Sequence, residues 1–487
     1  MKLYETLATD IASQIAQGVI REGEKIPSVR QTSQHHNLSV STVIRAFLLL
    51  ESQGVIESRP QSGYFVRRKP AVQASAVATP TTSEPQGPAA MARGATLDTS
   101  EFVLNTLRSI KQGSIPLGSP YPDPAAFPWA RLNQYANSLA RRAGQSGMSA
   151  DLPPGNPELI RQIARRHLEN GLTVDAGEII ITTGATEALN LCLQAVAPPG
   201  SAIAVESPTY YALLQAIERM RMHVVEIDTD PVQGINLKAL ERAIVEQGVA
   251  ACMVMPNFQN PLGFQMSDER KRAMVELLAR HDVPVIENDV YHELYYGDVH
   301  PTSLKTYDTR GLVLHCNSFS KTLSPANRIG WALPGRYRGQ VEKLKFLNTL
   351  NTPALPQLAI AEYLKNDGYD YHLRKVRKAY AQNASIMTSA VRRFFPSGTQ
   401  VSTPAGGYLL WVNLPDSVQA LEMYARAQER GISVGAGNIF ATGDTFQHCI
   451  RLNYSYPWNA EVEAAVRTLG MLAGELANCT LRKKANL

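Results

Sequence analysis

The sequence predicts two folded units. A small N-terminal α+β unit has short helices meeting across a tight turn and a two-stranded hairpin after them, and a large α/β unit is built on a mostly parallel sheet. Three observations predict this. Apolar residues recur at helical spacing over roughly the first fifty positions. A stretch rich in Ala, Pro, Thr and Ser then interrupts the chain after residue 69, and from about Glu101 short apolar runs alternate with helix-length segments. At 487 residues the chain is longer than one core usually organises.

Composition excludes several classes. No apolar run approaches the roughly eighteen residues of a membrane span, and Glu5 and Asp10 stand where a signal peptide would have its apolar core. The chain is therefore expected in the cytoplasm. Its five cysteines, Cys192, Cys252, Cys316, Cys449 and Cys479, are odd in number and form no Cys-x-x-Cys pair; they read as reduced, mostly buried thiols, and no metal site is expected. A net charge of +5 is too mild to identify a nucleic-acid binder. Residues 1–69 do lean basic, with nine Lys or Arg against six acids.

In the first unit, Leu3, Leu7, Ile11 and Ile15 share one face of a helix expected to end near Gly18. Pro27 opens a second short helix over 28–37. After a tight turn Ser39 or Ser41 caps a third, which turns Val43, Ala46, Phe47 and Leu50 inward and stops at Gly54. Residues 55–58 and 64–67 then read as two strands joined through Gly63. This is a helix-turn-helix with a wing. On Lys25-Ile26-Pro27-Ser28-Val29-Arg30, Ser39-Val40-Ser41-Thr42-Val43, Leu50-Glu51-Ser52-Gln53-Gly54-Val55-Ile56 and Gly63-Tyr64-Phe65-Val66, residues 1–69 resemble the winged-helix domain of GntR-type transcriptional regulators. The resemblance implies operator contacts by Arg30, Ser41, Thr42, Arg45 and Gly63. One departure stands out: many relatives carry Ser-Arg where this chain has Ser39-Val40, so the operator differs in that contact.

Residues 70–100 form a linker, whose composition cannot bury enough surface to order itself. It suits a switch and a passive tether equally.

In the large unit, strands are expected at 179–182, 202–206, 251–255, 283–287, 313–316 and 329–333. Functional loops of such sheets gather at the carboxyl ends of strands. There stand Thr183-Gly184-Ala185-Thr186, a glycine turn opening a helix that favours an anion, then Ser207-Pro208-Thr209-Tyr210 with an aromatic face, and Asn257-Phe258-Gln259-Asn260-Pro261 with an amide donor. Asn288-Asp289-Val290-Tyr291 and Asn317-Ser318-Phe319-Ser320-Lys321 follow, with Arg328 seven residues after the lysine. The last stretch also fits the Ser-x-x-Lys of penicillin-recognising enzymes, but Ser-Asp-Asn and Lys-Thr-Gly partners are missing. Gly435-Ala436-Gly437 lacks the third glycine of a dinucleotide fingerprint. A lysine, a phosphate cradle, a ring-facing aromatic and a carboxylate are together what pyridoxal phosphate needs.

Residues 101–487 resemble the fold-type I aminotransferases, and with the first unit the chain is similar to the MocR-type subgroup of GntR regulators. The resemblance implies a smaller C-terminal α+β subdomain from about residue 360, a homodimer and pyridoxal 5'-phosphate as cofactor. It makes Lys321 the lysine that forms a Schiff base with the aldehyde and Asp289 the partner of the ring nitrogen. Asn260 and Tyr291 would hold the phenolic oxygen, Tyr210 would stack on the ring, and Ala185, Thr186, Ser318, Ser320 and Arg328 would hold the phosphate. Arg451, within Cys449-Ile450-Arg451-Leu452-Asn453, would grip a carboxylate of an amine effector or substrate. Relatives usually place a tyrosine shortly before the glycine aligned with Gly155, reaching the partner subunit's phosphate; Ala150-Asp151-Leu152-Pro153-Pro154 has none. Two functions stay open: a regulator whose aminotransferase-like domain senses the cofactor or an amine and controls operator binding, and an active aminotransferase with an accessory DNA-binding domain.

Overall fold

In the computed structural model, which describes residues 2–16, 20, 22–36, 38–59, 62–67, 101, 104–105, 108, 113–146, 152–366 and 368–485, the chain separates into two units, 1–89 and 90–487. The expected linker at 70–100 and positions 150–151 before Gly155 lie outside the described residues.

The first unit contains α1 (Leu3–Ala16), α2 (Val29–His36) and α3 (Val40–Ser52), then a hairpin of β1 (Ile56–Arg59) and β2 (Gly63–Val66). Ser39 sets the start of α3, because its Oγ accepts the Thr42 N–H at 3.2 Å and so satisfies a donor the helix leaves open. Val43, Ala46, Phe47 and Leu50 then fall on one face and are fully buried against Leu7, Ile11, Ile26, Ile56 and Val66. Leu3, expected on the inner face of α1, is instead 67% exposed. The periodic face runs one turn beyond the part of the helix that has something to pack on. Gly63 takes φ +101°, which an L side chain rarely adopts, and lets the hairpin close Arg59 onto Gly63.

The second unit begins with the segment 113–121, then α4 (Trp129–Ser146) and α5 (Pro157–Glu169). It winds on through β3 (Ile180–Thr182), α6 (Ala185–Val196), β4 (Ala202–Ser207), α7 (Tyr211–Arg219), β5 (His223–Asp230), β6 (Gly234–Ile235), α8 (Leu237–Gln247), β7 (Val249–Val254), α9 (Asp268–Arg280), β8 (Val285–Asn288), β9 (Val313–Ser318) and β10 (Gly330–Leu333). These eight strands make one sheet in the order β3-β10-β9-β8-β7-β4-β5-β6. β5, β4, β7, β8 and β9 pair in parallel. β10 runs antiparallel between β9 and β3, which leaves β3 pointing the same way as the parallel set. Helices cover both faces, so the inner strands are buried without alternation, and every residue of β8 and β9 is buried, polar ones included. β5 and β6 lie at one edge and are not among the six expected strands; the edge tolerates the charged residues that hide β5 in the sequence.

α10 (Arg338–Thr349) packs on α6, and α11 (Ala354–Asn366) on α4 and α5. A second layer starts at α12 (Tyr369–Phe394). It holds β11 (Gln400–Val401), β12 (Leu409–Asn413), α13 (Ala420–Glu429), β13 (Gly435–Ala436), β14 (Cys449–Asn453) and α14 (Ala460–Ala485). Its strands form an antiparallel sheet ordered β11-β12-β14-β13. Residues from far upstream join this layer: the Ile115 N–H donates to Gly431 O at 2.8 Å and the Ser433 N–H to Ile115 O at 3.0 Å. Four cysteines are buried thiols and Cys479 is exposed. Among the described residues no helix is long and apolar enough to cross a membrane.

Candidate functional site

The carboxyl ends of β3, β4, β7, β8 and β9 open on a cleft of about 570 Å³, part of it open to solvent. Ala185, Thr186, Tyr210, Asn260, Tyr291, Ser318, Ser320, Lys321 and Arg328, drawn from five separate connections, line it together with Pro120, Tyr121, Leu189, Met255, Asn288 and Val290. Asp289 and Arg451, both almost fully buried, lie just behind this wall.

One end of the cleft is built for an anion. α6 starts at Gly184 with φ +80° and no side-chain cap, so its first N–H groups are free of side-chain acceptors and carry the positive end of the helix dipole. The Arg328 guanidinium stands beside them, donating to Ser320 Oγ at 3.1 Å and to Thr183 O at 3.3 Å. The backbone approaches closely there. A Cβ on Gly330 would lie 2.6 Å from Gly184 C, 2.7 Å from Asn317 O and 2.8 Å from Ala185 N. Gly330→Ala is therefore expected to displace the Gly184–Ala185 peptide and to lower the stability of the large unit by about 1–3 kcal/mol, measurable by urea unfolding. An unchanged midpoint would show that the cradle yields freely.

At the other end, Asp289 accepts from Asn257 Nδ2 at 2.9 Å. Lys271 donates to Asn257 Oδ1 at 2.8 Å, which fixes the amide with its nitrogen toward the carboxylate. Burial and the charge of Glu287 push the Asp289 carboxyl up to about 7, against the pull of His315, Asn257 and Lys271. His315 is itself pulled down by burial, yet ends above its ordinary value because Glu287, 3.0 Å from its Nδ1, and Asp289 favour the cation. None of Glu287, Asn257, Lys271 and His315 is a candidate on the sequence alone. The one readable signal is that Glu287 and Asp289, two apart at a strand end, share a face.

Lys321 is half-buried. Its Nζ donates to Pro120 O at 2.8 Å and stands 4.6 Å from the Tyr121 ring centroid. Burial, helped by the charges of Arg451 and Arg328, brings its ammonium down to about 7. Tyr291 is pushed up to about 12 by burial, and burial likewise raises the Tyr210 phenol, whose ring lies 4.7 Å from that of Tyr211. Arg451 on β14 is only 1% exposed. It donates through Nη1 to Asn260 Oδ1 at 3.1 Å and through Nη2 to Gly118 O at 2.8 Å. Its buried Nε has no hydrogen-bond partner among the described residues. An orphaned buried guanidinium donor behind the cleft wall is a fitting place for a carboxylate.

In the first unit Arg30, Ser41, Arg45 and Gly63 are exposed, and Thr42 is half-buried. The Ser41 and Thr42 hydroxyls already meet Ser39 Oγ at 2.9 and 2.7 Å, so the cap engages both. Lys25 adds a cation absent from the candidates read from sequence: its Cε would be 3.1 Å from a Cβ built on Gly63.

The family model of aminotransferase class I and II matches residues 128–469, and that of bacterial regulatory proteins of the gntR family matches residues 3–66. The chain is 39% identical over 476 residues to YdcR, an uncharacterized HTH-type transcriptional regulator of Escherichia coli (strain K12), covering 98% of this chain and 100% of that protein. It is 37% identical to a second such regulator of that organism, YjiR, over 96% and 98% of the two chains. Among solved structures, it is similar to the Pyrococcus horikoshii kynurenine aminotransferase in complex with PMP, at a TM-score of 0.71 and 28% identity over 79% of this chain and 97% of that one. LysN, the α-aminoadipate aminotransferase of Thermus thermophilus, complexed with N-(5'-phosphopyridoxyl)-L-leucine, superposes at a TM-score of 0.71 with 26% identity, over 77% and 95%.

Proposed function

This chain belongs to the HTH-type transcriptional regulators that join a gntR-type domain to an aminotransferase class I and II domain, and we propose that it binds operator DNA under the control of pyridoxal phosphate and of an amine taken up at the same cleft. The observation that carries the reading is Lys321: an amine brought down to about 7 by burial and two arginines, in a chain that also carries a winged helix. The residues fit the cofactor. Glycine at 184 and 330 lets the Arg328 guanidinium and the backbone that opens α6 close together at the anion end, and Arg451 Nε awaits an acceptor.

When bound, pyridoxal phosphate supplies an aldehyde that captures amines and a ring that withdraws electrons. Lys321 offers the neutral amine for the covalent link. The N–H groups of Ala185 and Thr186, the hydroxyls of Ser318 and Ser320 and the Arg328 guanidinium hold the phosphate. Asp289, kept in place by Asn257, holds a proton at the ring nitrogen; Asn260 and Tyr291 hold the phenolic oxygen, and Tyr210 covers a ring face. Arg451 orients the carboxylate of an amino acid. Arg30, Ser41, Thr42, Arg45 and Gly63 face DNA, with Lys25 beside the wing. The working form is a homodimer, matching the paired half-sites such domains read.

The test uses full-length protein and a duplex selected by it from a random-sequence pool, titrated with and without pyridoxal phosphate and a panel of amino acids. A shift in DNA affinity of about five- to 150-fold is expected for at least one combination; affinity unchanged across all of them defeats the reading. The completeness of the cleft supports a second reading, an aminotransferase proper. Steady turnover of an amino acid with a keto acid would favour it, and a rate near that of free cofactor would favour regulation.

A further inference from the structure

We propose that Val40 and Ile44 of α3 read thymine methyl groups in the major groove, so that this chain recognises part of its operator by apolar contact. The inference rests on the reading of the first unit as DNA-binding. α3 buries Val43, Ala46, Phe47 and Leu50 completely, yet its outer face is apolar too: Val40 is 48% exposed, Ile44 40% and Leu48 53%. Three large apolar residues in line at i, i+4 and i+8 on a thirteen-residue helix are an exposed stripe that needs an occupant.

The surroundings specify that occupant. Arg45 lies next to the stripe, Arg30 precedes the turn into α3, and Lys25 stands by the wing glycine. Exposed cations on this small unit, Arg45 within α3 itself, suit a partner that carries phosphates. Base edges in the major groove offer one apolar group, the thymine C5-methyl. The Ser41 and Thr42 hydroxyls each spend one contact on Ser39 and keep the rest of their capacity for polar groups, which leaves Val40 and Ile44 as the apolar readers beside them. Helices of this motif meet base edges with their N-terminal residues. Val40 is the first residue of α3 and Ile44 lies one turn on; Leu48, about 12 Å along the axis from Val40, falls beyond that reach. The rise from Val40 to Ile44 is about 6 Å, and base pairs stack at about 3.4 Å. The two methyls therefore belong to positions about two base steps apart.

The test again takes a duplex selected by the full-length protein from a random-sequence pool. Each thymine is replaced in turn by uracil, which lacks only the methyl. Two positions about two steps apart are expected to respond, each weakening binding about fourfold. Val40→Ala should abolish the response at one and Ile44→Ala at the other, while Arg45→Ala weakens binding throughout and keeps both. Both residues are exposed, so the variants should keep the unaltered circular dichroism. The proposal is overturned if no thymine responds, or if the responses persist in both variants. It is equally overturned if the variants shift sedimentation toward monomer and leave the uracil responses intact, which would make the stripe a contact between copies. Failure to select any duplex would remove the DNA-binding reading itself.

Discussion

Protein carrying Lys321→Ala is expected to bind pyridoxal phosphate reversibly and to yield no covalent adduct after hydride reduction and denaturation, whereas the unaltered chain yields one, located on Lys321 by peptide mass. The neutral amine is the form that condenses. An ordinary lysine near 10.4 is neutral in fewer than about one molecule in a thousand at pH 7, while Lys321, brought down to about 7 by burial and by Arg451 and Arg328, is about half neutral. The rate of link formation should thus rise with pH, inflect near 7 and level off above it. Arg451→Gln removes the stronger of the two cationic influences and should move the inflection upward. An adduct on another lysine, or an inflection near 10, would overturn the assignment.

Phe47→Ala is expected to unfold the first unit and spare the second. The ring is fully buried, packed edge-on at 5.0 Å to Tyr64 and surrounded by α1, α3 and the hairpin. Removing such a ring typically costs about 3–5 kcal/mol, a large share of what a unit of this size has to spare. Binding to the selected duplex should vanish while the hydride-fixed adduct at Lys321 still forms. Should both properties disappear together, the two units would not be independent folding units.

What could be read from the residues alone was local. Val43, Ala46, Phe47 and Leu50 declared their face by spacing, the cap was narrowed to Ser39 or Ser41, of which the helix uses Ser39, and the strands around Ile180, Val205, Met253, Ile286 and Leu314 declared themselves as apolar runs. The cleft was legible because each of its parts follows a strand whose end the topology brings to one edge. The fold's long-range decisions were not legible. Arg451 reaches Asn260 across 191 positions, Ile115 pairs into a layer made by residues beyond 400, and β10 turns back antiparallel. Such contacts depend on which elements become neighbours, and no residue pattern within a window encodes that. Leu3 failed for a related reason: periodicity marks a face, and only a neighbour buries it. The set behind Asp289 failed too, since Asn257, Lys271 and His315 come from three different elements.

The Gly118–Tyr121 backbone has one more consequence. Lys321 and Arg451 each spend a hydrogen bond on it, at Pro120 O and Gly118 O, while Asn453 and Tyr408 hold Ser119 O, Tyr121 O and Pro120 O from the small layer. The chain's own carbonyls thus act as resident competitors for the two cations that a ligand must engage. Uptake at Lys321 is an exchange of partners, and its net free energy is a difference between two sets of bonds. The carbonyl released from Lys321 belongs to the part of the large unit that lies, in sequence, just after the linker. Tyr408 keeps its own bond to that carbonyl when Lys321 lets go, so the exchange at Lys321 leaves the segment tied to the small layer.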